Sequence, residues 1–299
     1  MDDHKVAVIG LGLMGSRLAA RLIEHGFDVS GFDPDAERSA AFERIGGQAG
    51  GSPFEAAEGC RAVILSLPDS TVSREVCLGR GGLAACQGLE IVYDTTTGRP
   101  EDAVSIGAEL AEVGIDYCDA TLSGNSALAE TGGLVVMVGG SDAAYRAGVP
   151  IFEVIGRSHH HVGPVGAGSR MKLLVNQVLT IHRVALAEAL TTAELAGMEL
   201  ESVLGVLRDS LAYSRAMDVW GERMVEGDHT APASRLRQGH KDTQLIIEHS
   251  RQLGAPTGLI EVVESVQAGA KAQGLQDLDN SVVIEVLRRR VGRGRVPDA

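Results

Sequence analysis

The chain has 299 residues, 44% hydrophobic and 22% charged, enough apolar material for two cores of ordinary size. A formal charge of −13 excludes a general phosphate-backbone footprint, so nucleic acid is not an expected partner. Scarce aromatics (3%) beside 38 glycines favour strands feeding tight turns and helices packed closely on a sheet, an α/β class.

The N-terminal "MDDHKVAVIG" carries acidic residues where a secretory signal requires basic ones, and no apolar run is expected to approach the roughly 20 residues of a membrane span. Cys60, Cys77, Cys86 and Cys118 form no C-x-x-C pair and are too sparse for a disulfide scaffold, which suits reduced thiols. The expectation is a soluble, cytoplasmic protein with no membrane partner.

Up to residue 164, β-rich runs alternate with amphipathic stretches: "KVAVIG", "LMGSRLAARLIEHG" and "DVSGFD", then "AVILSL", "LEIVYD", "GIDYCDA", "LVVMVGG" and "HHHVG". This alternation predicts a doubly wound, mostly parallel sheet. From residue 165 helical periodicity takes over, broken at Gly197, near Gly227, at Gly254-Ala-Pro256 and around Gly274. Two domains are expected, 1–164 and an all-α domain over 165–299, with the Gly163-Pro164 junction running into a long helix from Gly168 to about Leu195.

In the first domain "VAVIGLGLMGSRLAARL" sets Gly10, Gly12 and Gly15 at G-x-G-x-x-G spacing, directly after a strand and opening a helix. Gly10 permits the tight turn, Gly12 lets backbone approach a pyrophosphate, and Gly15 lets the helix lie against the strand. A Rossmann-type dinucleotide site is expected, contacted by Gly10, Leu11, Gly12, Leu13, Met14 and Gly15. Asp33, at the end of the second strand, is placed to accept from the adenosine ribose, which argues for NAD over NADP. Pro34 follows it and cannot bind an anion, and Arg38 is expected to pair with Asp35 or face water. Two later loops lie at strand ends: in "SLPDS", Leu67 and Pro68 can pack on adenine or ribose, and in "DTTTGRP", Thr96 can donate toward the nicotinamide side.

His159, His160 and His161 alternate across a strand and cannot converge on one ion, so no metal is expected. "GAGSRMKLLVN" opens the long apolar helix and poses a question, because Lys172 enters a place where an ammonium loses hydration. Either it escapes to water or a site uses it. Lys172, Asn176 and Thr180 are spaced by four and form one polar stripe, which lines a cleft better than a core. Desolvation moves a lysine toward working pH, the condition for general acid–base transfer. The basic "RRRVGRGR" near the C-terminus is expected to be a solvated terminal segment.

"GLGLMG", "DATLSGNSALAETGGLVVMVGG", "GPVGAGSRMKLLVN" and "GHKD", in this order, resemble the β-hydroxyacid dehydrogenase family over essentially the whole chain. The resemblance implies oxidation of a small 3-hydroxy acid to its semialdehyde or keto acid, or the reverse, with Lys172 catalytic and Asn176 orienting the lysine or the substrate hydroxyl. It implies substrate contacts at Ser123 and Gly124, and Lys241 close to the nicotinamide with Asp242 holding it. Thr121 and Asn125 depart from the family's D-x-P-V-S-G-G pattern, where proline and glycine stand; the clamp is therefore altered, and Asn125 is expected to read a substrate hydroxyl or carbonyl. 6-Phosphogluconate dehydrogenase shares the helix motif but carries histidine where this chain has Val175. Alternative readings are an imine reductase-like enzyme of the same fold and a non-catalytic NAD-binding module. By analogy a homodimer or homotetramer is expected.

Overall fold

The computed structural model describes residues 4–232 and 234–294. In chain order its elements are β1 (Lys5–Ile9), α1 (Gly15–Glu24), β2 (Asp28–Phe32), α2 (Ala36–Arg44), β3 (Gln48–Ala49), α3 (Pro53–Ala57), β4 (Ala62–Leu65), α4 (Ser70–Leu78), β5 (Ile91–Asp94), α5 (Pro100–Glu112) and β6 (Asp116–Ser123). There follow α6 (Ser126–Glu130), β7 (Leu134–Gly139), α7 (Asp142–Ile155), β8 (Gly156–Gly163), α8 (Ala167–Leu195), α9 (Leu200–Asp209), α10 (Arg215–Glu226), α11 (Leu236–Gln252), α12 (Gly258–Ala272) and α13 (Val283–Arg290).

The strands form one sheet of order β3-β2-β1-β4-β5-β6-β7-β8. Each pair is parallel except β6 and β7, which run antiparallel. The period-2 alternation of a strand divides the core between the two faces. Val6 and Val8 of β1 pack with Leu18, Leu22, Phe42 and Phe152 on one side. Ala7 and Ile9 pack with Ala56, Cys77, Ile106 and Leu110 on the other. Burial on both faces is why these strands read as continuous apolar runs. The two-residue β3 is too short to leave a periodic signal and was not anticipated.

The chain divides by compactness into two units, Met1–Lys172 and Leu173–Ala299, with the division inside α8. The reason is local: β6 side chains hold the first turns of α8, as described below. The second unit has its own apolar core, with Leu173, Leu190, Trp220, Met224, Ile246, Ile260 and Ile284 among its members. Its helices end at Gly197, Gly227 and Gly254 as the breaks predict, and again at 210–214, where no glycine or proline marks the stop.

Two expectations need correction. Helix α8 has 29 residues and, by length and composition, is apolar enough to cross a membrane. Its buried Val184, Leu186, Ala187 and Leu190 pack in the helical core. The basic stretch at the C-terminus is not simply solvated either: Arg288 is fully buried, pairing at 2.7 Å with Glu194 and at 2.7 Å with Glu285, because α13 turns it into the core. Arg289 donates to Gln273 at 2.6 Å, and Arg295 lies outside the described residues.

All four cysteines are buried free thiols. Burial pushes each thiol up from its ordinary value, Cys118 to about 12, so none is poised to react.

Candidate active site

The order of the sheet reverses between β1 and β4, and the loops leaving these two strands meet there. Gly10 follows β1 with φ +92°, and a Cβ on it would lie 2.3 Å from the Ser66 carbonyl oxygen beyond β4. A Cβ on Gly15 would lie 1.8 Å from the Gly10 oxygen, so glycine at both positions is required by the protein itself. Gly12 differs: the nearest atom to a Cβ there is Arg38 Nη1 at 3.8 Å. No protein neighbour demands glycine at this position, and an approaching ligand backbone would. Helix α1 has no side-chain cap and no acidic residue in its first turn, which leaves its leading amides for an anion. Leu13 is half exposed at the rim of this loop, whereas Leu11 is buried and Met14 half-buried in the core behind it. These features fit a dinucleotide pyrophosphate.

Asp33 is buried at the end of β2, and its two oxygens are already engaged: Oδ2 accepts from the Leu11 amide at 2.8 Å and Oδ1 from the Asp35 amide at 3.0 Å. The carboxylate thus also braces the glycine-rich loop. Arg38 does not choose between Asp35 and water; it lies 3.3 Å from Asp33 and 3.3 Å from Asp35 while remaining half exposed. The helical turn of α2 brings its guanidinium back over both carboxylates.

The loops after β4 and β5 are joined, since the Leu67 amide donates to Thr96 Oγ1 at 3.1 Å. Thr96 is buried, and its amide donates to Asp94 Oδ1 at 2.8 Å, while the Tyr117 hydroxyl donates to Asp94 Oδ2 at 2.8 Å. Burial pushes the Asp94 carboxyl above its ordinary value, against hydrogen bonds from Thr96, Tyr117 and Ser73 that favour its charged form. Thr96 therefore has a loop-fixing role that its position in the sequence did not announce. Pro68 is exposed at the tip.

The stretch expected to contact substrate occupies the end of β6 and the turn beyond. Ser123 is half-buried, and among the described residues its hydroxyl makes no hydrogen bond, so it is not the self-bonded serine common in turns. Gly124 is exposed with φ +145°. Asn125 accepts the Leu128 amide on Oδ1 at 3.0 Å and so caps α6, a local role that sequence reasoning missed although Asn is a favoured cap residue. Its amide nitrogen has no partner among the described residues, which leaves it a donor. Thr121 is fully buried and donates to the Gly168 carbonyl at 2.8 Å. It faces the start of α8, so its departure from proline does not reshape a substrate surface.

Lys172 is half-buried, and its Nζ donates to the Leu122 carbonyl at 2.6 Å, one residue from Ser123. The question posed by this lysine is thereby answered in part: its amine is held by the Leu122 carbonyl, one residue before Ser123, within its own unit. Four residues on, Asn176 donates through Nδ2 to Asp242 Oδ2 at 2.9 Å, and among the described residues its Oδ1 has no partner. Thr180 leaves the expected polar stripe. It is buried, accepting from Arg183 at 2.6 Å and Gln267 at 3.5 Å, because a turn further along α8 the same face enters the helical core. Arg183 stacks over Trp220 at 4.7 Å, and burial lowers its pKa to about 10. Lys241 lies on α11, 3.6 Å from Asp242, so Asp242 meets both Lys241 and Asn176.

The three histidines of β8 part as alternation requires. His159 bonds the Tyr145 hydroxyl at 2.7 Å, His161 stacks on Tyr145 and meets the Gly140 carbonyl at 2.9 Å, and His160 is exposed. Among the described residues no three His, Cys, Asp or Glu side chains group as metal ligands.

The profile described as the NAD binding domain of 6-phosphogluconate dehydrogenase matches residues 5–163, and that described as NAD-binding of NADP-dependent 3-hydroxyisobutyrate dehydrogenase matches residues 166–287. The 2-(hydroxymethyl)glutarate dehydrogenase of Eubacterium barkeri is 32% identical, covering 96% of this chain and 96% of that protein. The structure of the 3-hydroxyisobutyrate dehydrogenase of Mycobacterium tuberculosis with L-serine is 28% identical with a TM-score of 0.86, covering 95% and 99% of the two chains. The chain spans about half of another relative, the cytokine-like nuclear factor N-PAC of Xenopus tropicalis, at 27% identity over 94% of this chain and 53% of that protein. Imine reductase structures, such as that of Streptomyces aurantiacus at 23% identity and TM-score 0.64, share the fold alone.

Proposed function

We propose that this chain, which belongs to the β-hydroxyacid dehydrogenase family, interconverts a small 3-hydroxy carboxylic acid and its semialdehyde or keto acid with NAD, using Lys172 as general acid and base. One observation carries the reading: the amine of Lys172 is fixed 2.6 Å from the Leu122 carbonyl, one residue before Ser123, whose hydroxyl has no partner among the described residues.

A bound NAD supplies the hydride acceptor. Ser123 and the backbone around Gly124 hold the substrate carboxylate through charge-assisted hydrogen bonds. Lys172, as the neutral amine, takes the hydroxyl proton while hydride leaves the adjacent carbon, and as the ammonium it returns that proton to the carbonyl oxygen in reduction. Asn176, anchored by Asp242, offers Oδ1 to orient the reacting groups without adding charge. Asn125 offers its amide nitrogen to a further polar group of the substrate.

The preference for NAD is read from Asp33 and Arg38. A 2′-phosphate would compete with Asp33 and Asp35 for Arg38 and would lie beside a buried carboxylate. A higher kcat/KM with NADP than with NAD would defeat this part of the reading.

The main test is Lys172→Ala, assayed by NADH absorbance on 3-hydroxyisobutyrate, L-serine and 2-(hydroxymethyl)glutarate. General acid–base groups contribute roughly 10²–10⁴-fold, so turnover should fall by that factor while the NADH Kd stays within about twofold. Near wild-type turnover would remove the assignment, and a wild-type chain inert on every hydroxy acid would favour the non-catalytic module.

A further inference from the structure

Asp119 opens the substrate motif on β6, yet its side chain does not face a ligand. It is 2% exposed, and its two oxygens reach across to the start of α8, accepting from the Gly166 amide at 2.8 Å and the Ser169 amide at 2.6 Å. The residues just before α8, Gly163-Pro164-Val165-Gly166, include no side chain able to cap a helix. The first amides of a helix have no partner within it, so here the acceptor is supplied from a strand 47 residues earlier. Two positions on, Thr121 donates to the Gly168 carbonyl at 2.8 Å. A Cβ on Gly168 would lie 2.0 Å from the Asp119 carbonyl oxygen, so strand and helix touch through backbone. The next residue, Leu122, receives Lys172 Nζ.

Ser169 and Lys172 are three apart and share a helix face, so the contact that fixes one fixes the direction of the other. The same short strand thus carries, in order, the helix clamp, the lysine's acceptor and the Ser123-Gly124 pair. We infer that Asp119, assisted by Thr121, is the positioning residue of the reaction: it sets the register of α8 against β6 and thereby the distance from the Lys172 amine to whatever Ser123 holds. The inference rests on the catalytic role proposed above for Lys172. Displacement of a reacting group by about 1 Å can lower a rate by roughly 10²-fold, which makes such a clamp consequential without any contact to substrate. Burial pushes the Asp119 carboxyl up to about 6, against the Ser169 and Gly166 amides that favour its charge, as for a group kept buried for what it grips.

The experiment compares Asp119→Asn, Thr121→Val, Thr121→Ser and Lys172→Ala in the full-length protein. Asparagine offers one acceptor oxygen where the carboxylate offers two. The first readout is acetylation of Lys172 by limiting acetic anhydride, measured by peptide mass spectrometry against exposed Lys271 in the same molecule. The second is the split between kcat and KM for NAD and the most active of the three acids named above. Asp119→Asn and Thr121→Val are expected to raise the Lys172 to Lys271 labelling ratio at least threefold and to lower kcat about ten- to a hundredfold, with KM for NAD unchanged. Thr121→Ser keeps the hydroxyl and should restore both. If Asp119→Asn fails to fold, the valine and serine variants decide alone. A labelling ratio or kcat within twofold of wild type in the folded clamp variants overturns the inference, as does a serine variant no better than valine. If Lys172→Ala stays active the catalytic reading fails instead, and the labelling ratio still decides whether Asp119 places the lysine.

Discussion

Replacing Gly12 by alanine separates a glycine kept for a ligand from those kept for the fold. The added methyl would have Arg38 Nη1, the end of a flexible side chain, as its nearest neighbour at 3.8 Å. Gly12 is not among the glycines with positive φ, so alanine adopts its backbone without strain. Such a change stabilises by about 0.4–1 kcal/mol through the unfolded state, so melting should hold steady or rise by about 2 °C. The same methyl would stand between the loop and a pyrophosphate. Loss of one charge-assisted hydrogen bond is worth about 1.5–3 kcal/mol, which weakens NADH binding by about ten- to a hundredfold. Gly15→Ala should do the opposite first, since a Cβ 1.8 Å from the Gly10 oxygen forces the backbone apart and destabilises the protein itself. NADH fluorescence titration and thermal melting of both variants provide the assay. Unchanged NADH affinity in Gly12→Ala, or a large drop in its melting temperature, would refute the reasoning.

Arg288→Ala removes the 2.7 Å partner of fully buried Glu285, leaving it His229 at 3.8 Å, and should destabilise the protein by about 3–5 kcal/mol in urea unfolding; a loss under about 1 kcal/mol would show that the pair is not the clasp it resembles. Asp119 makes stability depend on pH. Its pKa is raised in the native state, to about 6 from an ordinary 3.8, so between these values the native state keeps a proton that the unfolded chain has released. Stability therefore falls as pH rises across that window, by about 3 kcal/mol at 1.36 kcal/mol per unit. Subtracting the Asp119→Asn profile from wild type between pH 4 and 6.5 should reveal that slope, and parallel profiles would refute it.

Much of the site could be read before any fold was known. The glycine fingerprint is a local matter: a turn after a strand needs glycine at fixed offsets, and Gly10 and Gly15 sit where those offsets require. The long helix and the placement of Lys172 upon it followed from spacing, since side chains four apart share a face whatever surrounds them. Spacing misled at Thr180, where the face was right but the helix had entered the core, and the cap that Asn125 gives α6 was a local signal left unread.

The amino-acid order determined by itself the alternation of strand and helix, the nucleotide-binding loop and the lysine helix, because each depends on residues within a few positions of one another. Tertiary structure alone decided that Asp119 would grip an α8 turn 50 residues away, that Arg288 would find Glu194 at a separation of 94, and that Arg38 would bridge two carboxylates. Those partners are selected by packing: a buried polar group must be satisfied by whichever group the folded backbone brings within hydrogen-bond reach, and sequence distance carries no record of it.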